Sequence, residues 1–147
     1  MDGPRIVGPP IRIRLLLVTT QAIIRHGLRM WLELEVDLVV VGEASTGAQA
    51  IALAEALRPD VVLMDAELPG MDGVATTAVL RAAVPDAQVV LLSLHADAPT
   101  HTRALAAGAA AFVGKGTGDA ALLPTLRALG ARRASGHEGR TGPAAGV

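Results

Sequence analysis

The sequence predicts an α/β fold, namely a doubly wound, five-stranded parallel sheet with helices on both faces. Three observations carry this prediction. Short apolar runs alternate with stretches of helical spacing, which requires parallel strands joined by right-handed crossovers. The chain has 147 residues, enough for one domain with a substantial core. No internal repeat is visible. The expected strand order is 2-1-3-4-5, which places a crevice at the carboxyl ends of strands one and three.

Five short runs of β-branched and aliphatic residues are predicted as strands. Each has the length of a buried strand and is bounded by turn-forming or polar residues. The runs lie at 12–18, 38–41, 61–64, 89–92 and 109–113. The second run is expected to close at Gly42, whereas the other four lead into polar residues. The carboxyl edge of the sheet is therefore expected to carry the chemistry.

The stretches between these strands show the apolar spacing of amphipathic helices. Helices are expected at 21–34, 46–57, 72–83, 100–107 and 119–129. Ser45 or Thr46 can cap the second helix, Asp72 can cap the third, and Gly108 can end the fourth. Pro124 is awkward inside the last helix unless the helix begins near it or kinks. In the first helix the inward positions are expected to be Ile24, Leu28, Trp31 and Leu32.

The two ends differ in composition from the predicted domain at 11–130. Residues 1–10 are rich in proline and glycine and are expected to form a disordered lead-in. Residues 131–147 are polar, glycine-rich and aperiodic, and a disordered tail is expected there. The N-terminus lacks the apolar region of a signal peptide, and no apolar run approaches the roughly 18 residues of a membrane span. A cytoplasmic protein without membrane contact is expected.

Composition argues against several classes of site. The formal net charge is -1 and aromatic residues make up 1% of the chain, so neither a basic field nor stacking platforms for nucleic acid are present. Without cysteine there is no disulfide framework and no thiolate metal site. The four histidines have no ligand-like spacing. They are His26, His95, His101 and His137.

The stretch from Val61 to Gly73 concentrates the candidate chemistry. Its apolar run ends at Asp65, a carboxylate where the strand should meet water, and Leu68-Pro69-Gly70 then turns the chain. A carboxylate at the carboxyl end of a buried parallel strand lies where open α/β sheets place their active sites. The polar residues that end the other strands should reach the same crevice. They are Thr19, Thr20, Ser93 and Lys115.

This stretch resembles the phosphoacceptor segment of bacterial response-regulator receiver domains, in which a hydrophobic run and an aspartate precede Met/Leu-Pro-Gly-Met-Asp-Gly. The resemblance covers about residues 11–130 and implies a CheY-like, flavodoxin-like three-layer sandwich. It implies that Asp65 is the candidate phosphoacceptor and that Ser93 and Lys115 contact the phosphoryl group. It also implies that the side-chain rotamer of Phe112 changes with the position of the Ser93 hydroxyl. The segment 94–97 is similar to NarL/FixJ-type receivers, which usually carry a helix-turn-helix domain that binds DNA.

One departure from the family pattern concerns the metal. The resemblance implies a pair of acids at the end of strand one that holds Mg²⁺ together with Asp65, but Thr19 and Thr20 occupy these positions. Threonine hydroxyls are neutral and poor ligands for Mg²⁺, and Asp65 with Lys115 already sums to zero charge. The site is therefore expected to lack a cofactor, and the hydroxyl of Thr19 or Thr20 could instead donate a hydrogen bond to Asp65. Glu67 offers a further carboxylate, which can also point to solvent.

These observations favour an atypical receiver of two-component phosphorelay signalling, standing alone without an output domain. It would contact protein partners, either a sensor histidine kinase or another regulator, through the face made by helix four, strand five and helix five. A homodimer is compatible with this prediction, direct nucleic-acid binding is not, and enzymatic activity is limited to residual autophosphorylation from a phosphodonor. Two alternatives stay open: an active phosphoprotein modified on Asp65 by a histidine kinase, and a receiver that senses a small molecule in the crevice.

Overall fold

The computed structural model describes residues 12–93, 98–114 and 121–130. The predicted lead-in at 1–10, the predicted tail at 131–147 and Lys115 lie outside these ranges. The elements are β1 (Ile13–Val18), α1 (Ala22–Leu32), β2 (Leu38–Ala44), α2 (Gly47–Leu57), β3 (Val61–Asp65), α3 (Gly73–Ala83), β4 (Gln88–Ser93), α4 (Ala98–Ala106), β5 (Ala111–Gly114) and α5 (121–130). None of the helices within these ranges is long and apolar enough to cross a membrane.

The five strands form one parallel sheet in the order β2-β1-β3-β4-β5, which confirms the predicted fold class. The chain reverses its direction of winding between β1 and β3, so the carboxyl ends of these strands flank a crevice. The register pairs Val18 with Met64 and Asp65 with Leu92. The ends of β1, β3 and β4 therefore lie side by side at one edge of the sheet.

Both faces of the sheet are buried, and consecutive strand residues alternate between them. Leu16 and Met64 belong to the core on one face, which α2, α3 and α4 cover. Leu15 and Leu63 belong to the core on the other face, beneath α1 and α5. This arrangement accounts for strands that read as continuous apolar runs rather than as alternating patterns.

Gly42 does not close the second strand as predicted, because β2 continues to Ala44. The pairing register between β1 and β2 shifts at Leu15/Leu16, so that Leu16 pairs with Gly42. A Cβ atom built on Gly42 would lie 2.7 Å from Cδ1 of Leu57 on α2. The glycine therefore allows α2 to pack closely on an irregular strand, and it does not stop the strand.

The predicted helix caps are present. Oγ1 of Thr46 accepts a hydrogen bond from the backbone N–H of Gln49 at 3.1 Å, and Oδ1 of Asp72 accepts one from Ala75 at 2.7 Å. Gly108 follows α4 with φ +107°, a conformation that favours glycine. Pro124 lies within the helical residues 121–130.

The inward face of α1 is the predicted one except at Ile24, since Leu28 and Trp31 pack against the core beside Leu32. Leu32 is fully buried, whereas Ile24 is 48% exposed, so the prediction that Ile24 points inward is wrong. Beside this face, Glu43 of β2 receives hydrogen bonds from Arg25 at 3.0 Å and from Arg29 at 2.5 Å. Both arginines turn toward the sheet, and the apolar residues on the opposite side of α1, Ile23 and Met30, face outward.

Candidate functional site

Asp65 is the last residue of β3, and it lies in the crevice between the ends of β1 and β4. Asp65 is only 7% exposed, and the N–H of the next residue, Ala66, donates to the carbonyl of Leu92 at 2.7 Å. Since Val18 pairs with Met64, Thr19 stands level with Asp65 across the crevice. This is the juxtaposition that the strand order predicted.

The start of α3 packs directly on the backbone of Asp65. The N–H of Gly73 donates to the carbonyl of Ala66 at 2.8 Å, and a Cβ atom on Gly73 would lie 2.2 Å from the carbonyl oxygen of Asp65. Only glycine permits this approach. The preceding Pro69-Gly70 turn, with Gly70 at φ +75°, returns the chain to that point. Sequence reasoning did not single out Gly73, although its place directly after the Asp72 cap was a signal.

Thr19 and Thr20 occupy different environments. Thr19 is buried, its N–H donates to the carbonyl of Ala44 at 3.1 Å, and its carbonyl accepts from Nη1 of Arg25 at 2.7 Å. Thr20 is exposed to solvent. Within the described part of the chain, no hydrogen bond joins the hydroxyl of Thr19 or Thr20 to Asp65. Main-chain bonds to β2 and to α1 fix this corner instead.

Ser93, the last residue of β4, makes a short side-chain contact at the crevice. Ser93 is fully buried, and its Oγ donates to Oε2 of Glu67 at 2.5 Å. Glu67 belongs to the loop that follows Asp65, and although the residue is exposed, its carboxylate reaches the end of β4. The crevice therefore holds the carboxylates of two residues, Asp65 and Glu67. The sequence signal for the second was only its position two residues after Asp65.

Phe112 and His101 connect β5 to α4. Phe112 pairs with Leu91 in the sheet, and its ring stacks on that of His101 with a centroid separation of 5.3 Å and an interplanar angle of 22°. Lys115, the remaining predicted member of the site, lies outside the described residues. The structure thus brings Thr19, Asp65, Glu67 and Ser93 to one edge of the sheet, with the Phe112 ring beneath α4.

Next to the crevice, two arginines of α1 form salt bridges with one carboxylate of β2, that of Glu43. Hydrogen bonding to Arg29, followed by smaller effects of Arg25, lowers the pKa of Glu43 below its usual value, although partial burial opposes the shift. Arg25 therefore bridges Glu43 and the carbonyl of Thr19. Within residues 12–93, 98–114 and 121–130, no three His, Cys, Asp or Glu side chains come together as a metal site.

Sequence comparisons relate most of this chain to signalling proteins. A family model described as "Response regulator receiver domain" matches residues 15–127. Response regulator GacA of Pseudomonas viridiflava is 39% identical over 116 residues, which cover 78% of this chain and 54% of the relative. Transcriptional regulatory protein LiaR of Bacillus subtilis is 34% identical over 116 residues, covering 79% and 55%. The chain spans about half the length of the curated relatives it matches.

Solved structures give the same relationship. The receiver domain of the response regulator NarL from Mycobacterium tuberculosis superposes with a TM-score of 0.77 at 32% identity, covering 82% of this chain and 98% of that one. A LuxR-family two-component response regulator from Aurantimonas superposes with a TM-score of 0.79 at 31% identity, covering 83% and 87%. Both agree with the resemblance that the Asp65 segment indicated.

Proposed function

Because the chain belongs to the response-regulator receiver family of two-component signalling, we propose that it is an atypical receiver, which signals by protein contacts without Mg²⁺-dependent phosphorylation. The observation that carries the proposal lies beside Asp65. Thr19 stands level with Asp65 at the end of β1 and Thr20 follows it, so neutral side chains occupy both positions where the family has acids.

The donor atoms at the crevice fit Mg²⁺ poorly. Magnesium favours octahedral sites with anionic oxygens, such as carboxylates and substrate phosphates. Here one of the two carboxylates, that of Glu67, already accepts a hydrogen bond from Ser93. Of the two threonines, Thr19 is buried and Thr20 faces solvent. We infer that the family's metal is not held, and no step of the proposed function passes through it.

The proposed output face consists of α4, β5 and α5. Stacking of His101 on Phe112 ties the exposed surface of α4 to β5, and β5 pairs with β4, which ends at Ser93. A partner protein that alters the Glu67–Ser93 hydrogen bond would therefore act on the strand next to Phe112. A sensor histidine kinase or another regulator is the proposed class of partner.

The second candidate function is phosphorylation of Asp65 by a histidine kinase. It is favoured by the position of Asp65 at the end of β3 and by that of Ser93 at the end of the neighbouring strand. A phosphoryl group on Asp65 would need positive charge or hydrogen-bond donors around its oxygens. The Ser93 hydroxyl could serve only after exchanging its present acceptor, the Glu67 carboxylate.

Incubation with acetyl phosphate and Mg²⁺, followed by intact-mass measurement, separates the two candidates. We expect the natural chain to show no phosphoryl adduct, and its melting temperature to be unchanged by millimolar Mg²⁺. The double variant Thr19→Asp/Thr20→Asp should be stabilised by Mg²⁺, following RT ln(1 + [L]/Kd), and should gain the adduct. An adduct on the natural chain that Asp65→Asn abolishes would contradict the proposal and favour the second candidate.

A further inference from the structure

The hydrogen bond between Ser93 and Glu67 joins a buried donor to an acceptor at the surface. Ser93 is fully buried and Glu67 is exposed, and the Oγ of the serine donates to Oε2 of the glutamate at 2.5 Å. This distance is at the short end of the range for a hydroxyl that donates to an anionic oxygen. The acceptor of this interior hydroxyl is therefore a carboxylate that another molecule can reach.

The backbone on both sides of Glu67 is fixed, which presents its carboxylate to Ser93. On one side, the N–H of Ala66 donates to a carbonyl of β4 at 2.7 Å, and its own carbonyl accepts from the N–H of Gly73 at 2.8 Å. On the other side, Leu68 is buried in the core that α2, α3 and α4 cover. Because both neighbours are held, ordering the Glu67 side chain costs less conformational entropy than it would in a free loop.

The Ser93 hydroxyl has one proton to donate, so it serves one acceptor at a time. Asp65 ends β3 and pairs with Leu92, the residue that precedes Ser93 at the end of β4. A phosphoryl group on Asp65 would offer anionic oxygens, which accept short hydrogen bonds as a carboxylate does. The Glu67 carboxylate thus already occupies the donor that such a phosphoryl group would use.

Ser93 lies on the face of the sheet that α4 covers. It shares this face with Leu91, because residues two apart in a strand point to the same side. In the neighbouring strand β5, Leu91 pairs with Phe112 and Ser93 pairs with Gly114, which has no side chain. Phe112 is therefore the nearest side chain of β5 to Ser93 on this face, and its ring stacks on His101 of α4. The position of the serine is thus next to the contact that joins β5 to α4.

We propose that Glu67 is a positioning residue for Ser93, and that its carboxylate takes the place of phosphoryl oxygens as the acceptor of the serine hydroxyl. The hydrogen bond then holds Ser93, the Phe112 ring and α4 in one arrangement without phosphorylation. The inference rests on the proposed function, signalling without a phosphoryl group, and it names the group that acts instead. Since Glu67 is exposed, a lysine or arginine of a partner protein that pairs with its carboxylate would release Ser93 and alter the face of α4 and β5.

The chain contains a single phenylalanine, so NMR of the full chain labelled with ring-¹³C phenylalanine reports on Phe112 alone. We expect Glu67→Ala to move the ring signals, and Glu67→Gln, which keeps an acceptor oxygen, to move them less. In a Ser93→Ala background, Glu67→Ala should cause no further movement, because the same hydrogen bond is already lost. The matched control is Glu55→Ala, at an exposed glutamate of α2, and should leave the signals in place.

A triple variant tests directly whether a phosphoryl group and the Glu67 carboxylate are equivalent. Glu67→Ala is combined with Thr19→Asp/Thr20→Asp and treated with acetyl phosphate and Mg²⁺. It should gain the phosphoryl adduct at least as readily as the chain with the two threonine substitutions alone, since Ser93 is released. The adduct should return the Phe112 signals toward their natural positions. Less adduct than in the double variant, or an adduct that leaves the signals unmoved, would overturn the equivalence.

A hydrogen bond that only stabilises the loop would give a different result. Glu67→Ala would then unfold at a lower urea concentration with its Phe112 signals unmoved, and that outcome would overturn the proposal. Movement of the same size with and without the Ser93 hydroxyl would overturn it as well. The two claims fail separately: a phosphoryl adduct on the natural chain contradicts the proposed function, whereas unmoved Phe112 signals in Glu67→Ala contradict only the role of Glu67.

Discussion

Two glycines of this chain have opposite reasons for lacking a side chain. Gly73 lies against the backbone of Asp65, where an added Cβ would overlap the carbonyl oxygen, whereas Gly27 faces open space on the outside of α1. The first glycine holds the loop after Asp65 in place. The second only lowers the stability of the isolated helix, since a Cβ atom added there would meet no atom of the described residues within 4 Å.

Alanine at each glycine should change the free energy of unfolding in opposite directions. We expect Gly73→Ala to destabilise the fold by about 1–3 kcal/mol, because α3 must move away from β3. Gly27→Ala should stabilise it by about 0.5–1 kcal/mol through helix propensity. Urea denaturation at low protein concentration measures both. Equal effects at the two sites would mean that α3 does not sit as closely on Asp65 as described.

Glu67 is the residue whose role the tertiary structure changes most. Its hydrogen bond with the buried Ser93 hydroxyl joins the loop after β3 to the end of β4. Glu67→Ala should lower the free energy of unfolding by about 1 kcal/mol, whereas Glu67→Gln retains an acceptor and should lose less. Glu55→Ala, an exposed glutamate of α2, is the matched control. Thermal and urea unfolding measure the three variants. An unchanged free energy of unfolding for Glu67→Ala would show that the bond contributes nothing to stability.

At the scale of elements, a charged cluster anchors α5 to the turn between α1 and β2. Nε of Arg127 donates to Asp37 at 2.8 Å, and its Nη2 donates to Glu35 at 2.6 Å. The hydrogen bond from Arg127 lowers the pKa of Asp37, and the pKa of Arg127 is raised in return. Segments about 90 residues apart in the chain are thereby joined, in addition to the apolar contacts of Leu126 and Leu129 beneath α5.

The acid dependence of stability should report this cluster. Because the native pKa of Asp37 lies below the ordinary value of 3.8, its contribution is present above that value and is lost as the pH falls through the lowered native pKa. Asp37→Asn should reduce stability at pH 7 and flatten the loss of stability below about pH 4. Chemical denaturation between pH 2 and pH 7 measures both effects. Unchanged acid sensitivity would mean that Arg127 does not pair with Asp37 in solution.

At the scale of the whole molecule, each strand of the sheet is buried on two sides. Leu63 and Met64 are neighbours in β3, yet they belong to the two different cores, and both are buried. A sheet with one solvent face would bury only one of the two. The double burial reflects α1 and α5 on one face and α2, α3 and α4 on the other.

Truncation of either β3 neighbour should therefore be costly. We expect Leu63→Ala and Met64→Ala each to lower the free energy of unfolding by about 2–5 kcal/mol, since each leaves a cavity in a separate core. Val79→Ala, at a residue 39% exposed on α3, should lose much less. Urea denaturation compares the three variants. A small loss at only one β3 position would mean that one face of the sheet is not fully covered.

The sequence predicted most of the fold because it depends on local signals. Apolar runs identified all five strands, and the caps at Thr46 and Asp72 marked helix starts correctly. Gly42 was misread, because a glycine that allows close packing of α2 has the same local signature as one that ends a strand. Ile24 was misread because helical spacing gives the side of a helix on which a residue lies, whereas its burial depends on where along its length the helix meets the sheet.

For the candidate site, the sequence by itself determined the positions of Asp65, Ser93, Thr19 and Thr20 at strand ends, since parallel strands bring their carboxyl ends to one edge. Only the tertiary structure decided which of their side chains interact. The Ser93 hydroxyl donates to the carboxylate of Glu67. Thr19 is held by hydrogen bonds of its main chain, and its hydroxyl makes no bond to Asp65 among the described residues. The physical reason is that backbone position follows from strand pairing, whereas a side-chain hydrogen bond depends on loop geometry and burial that no local pattern records.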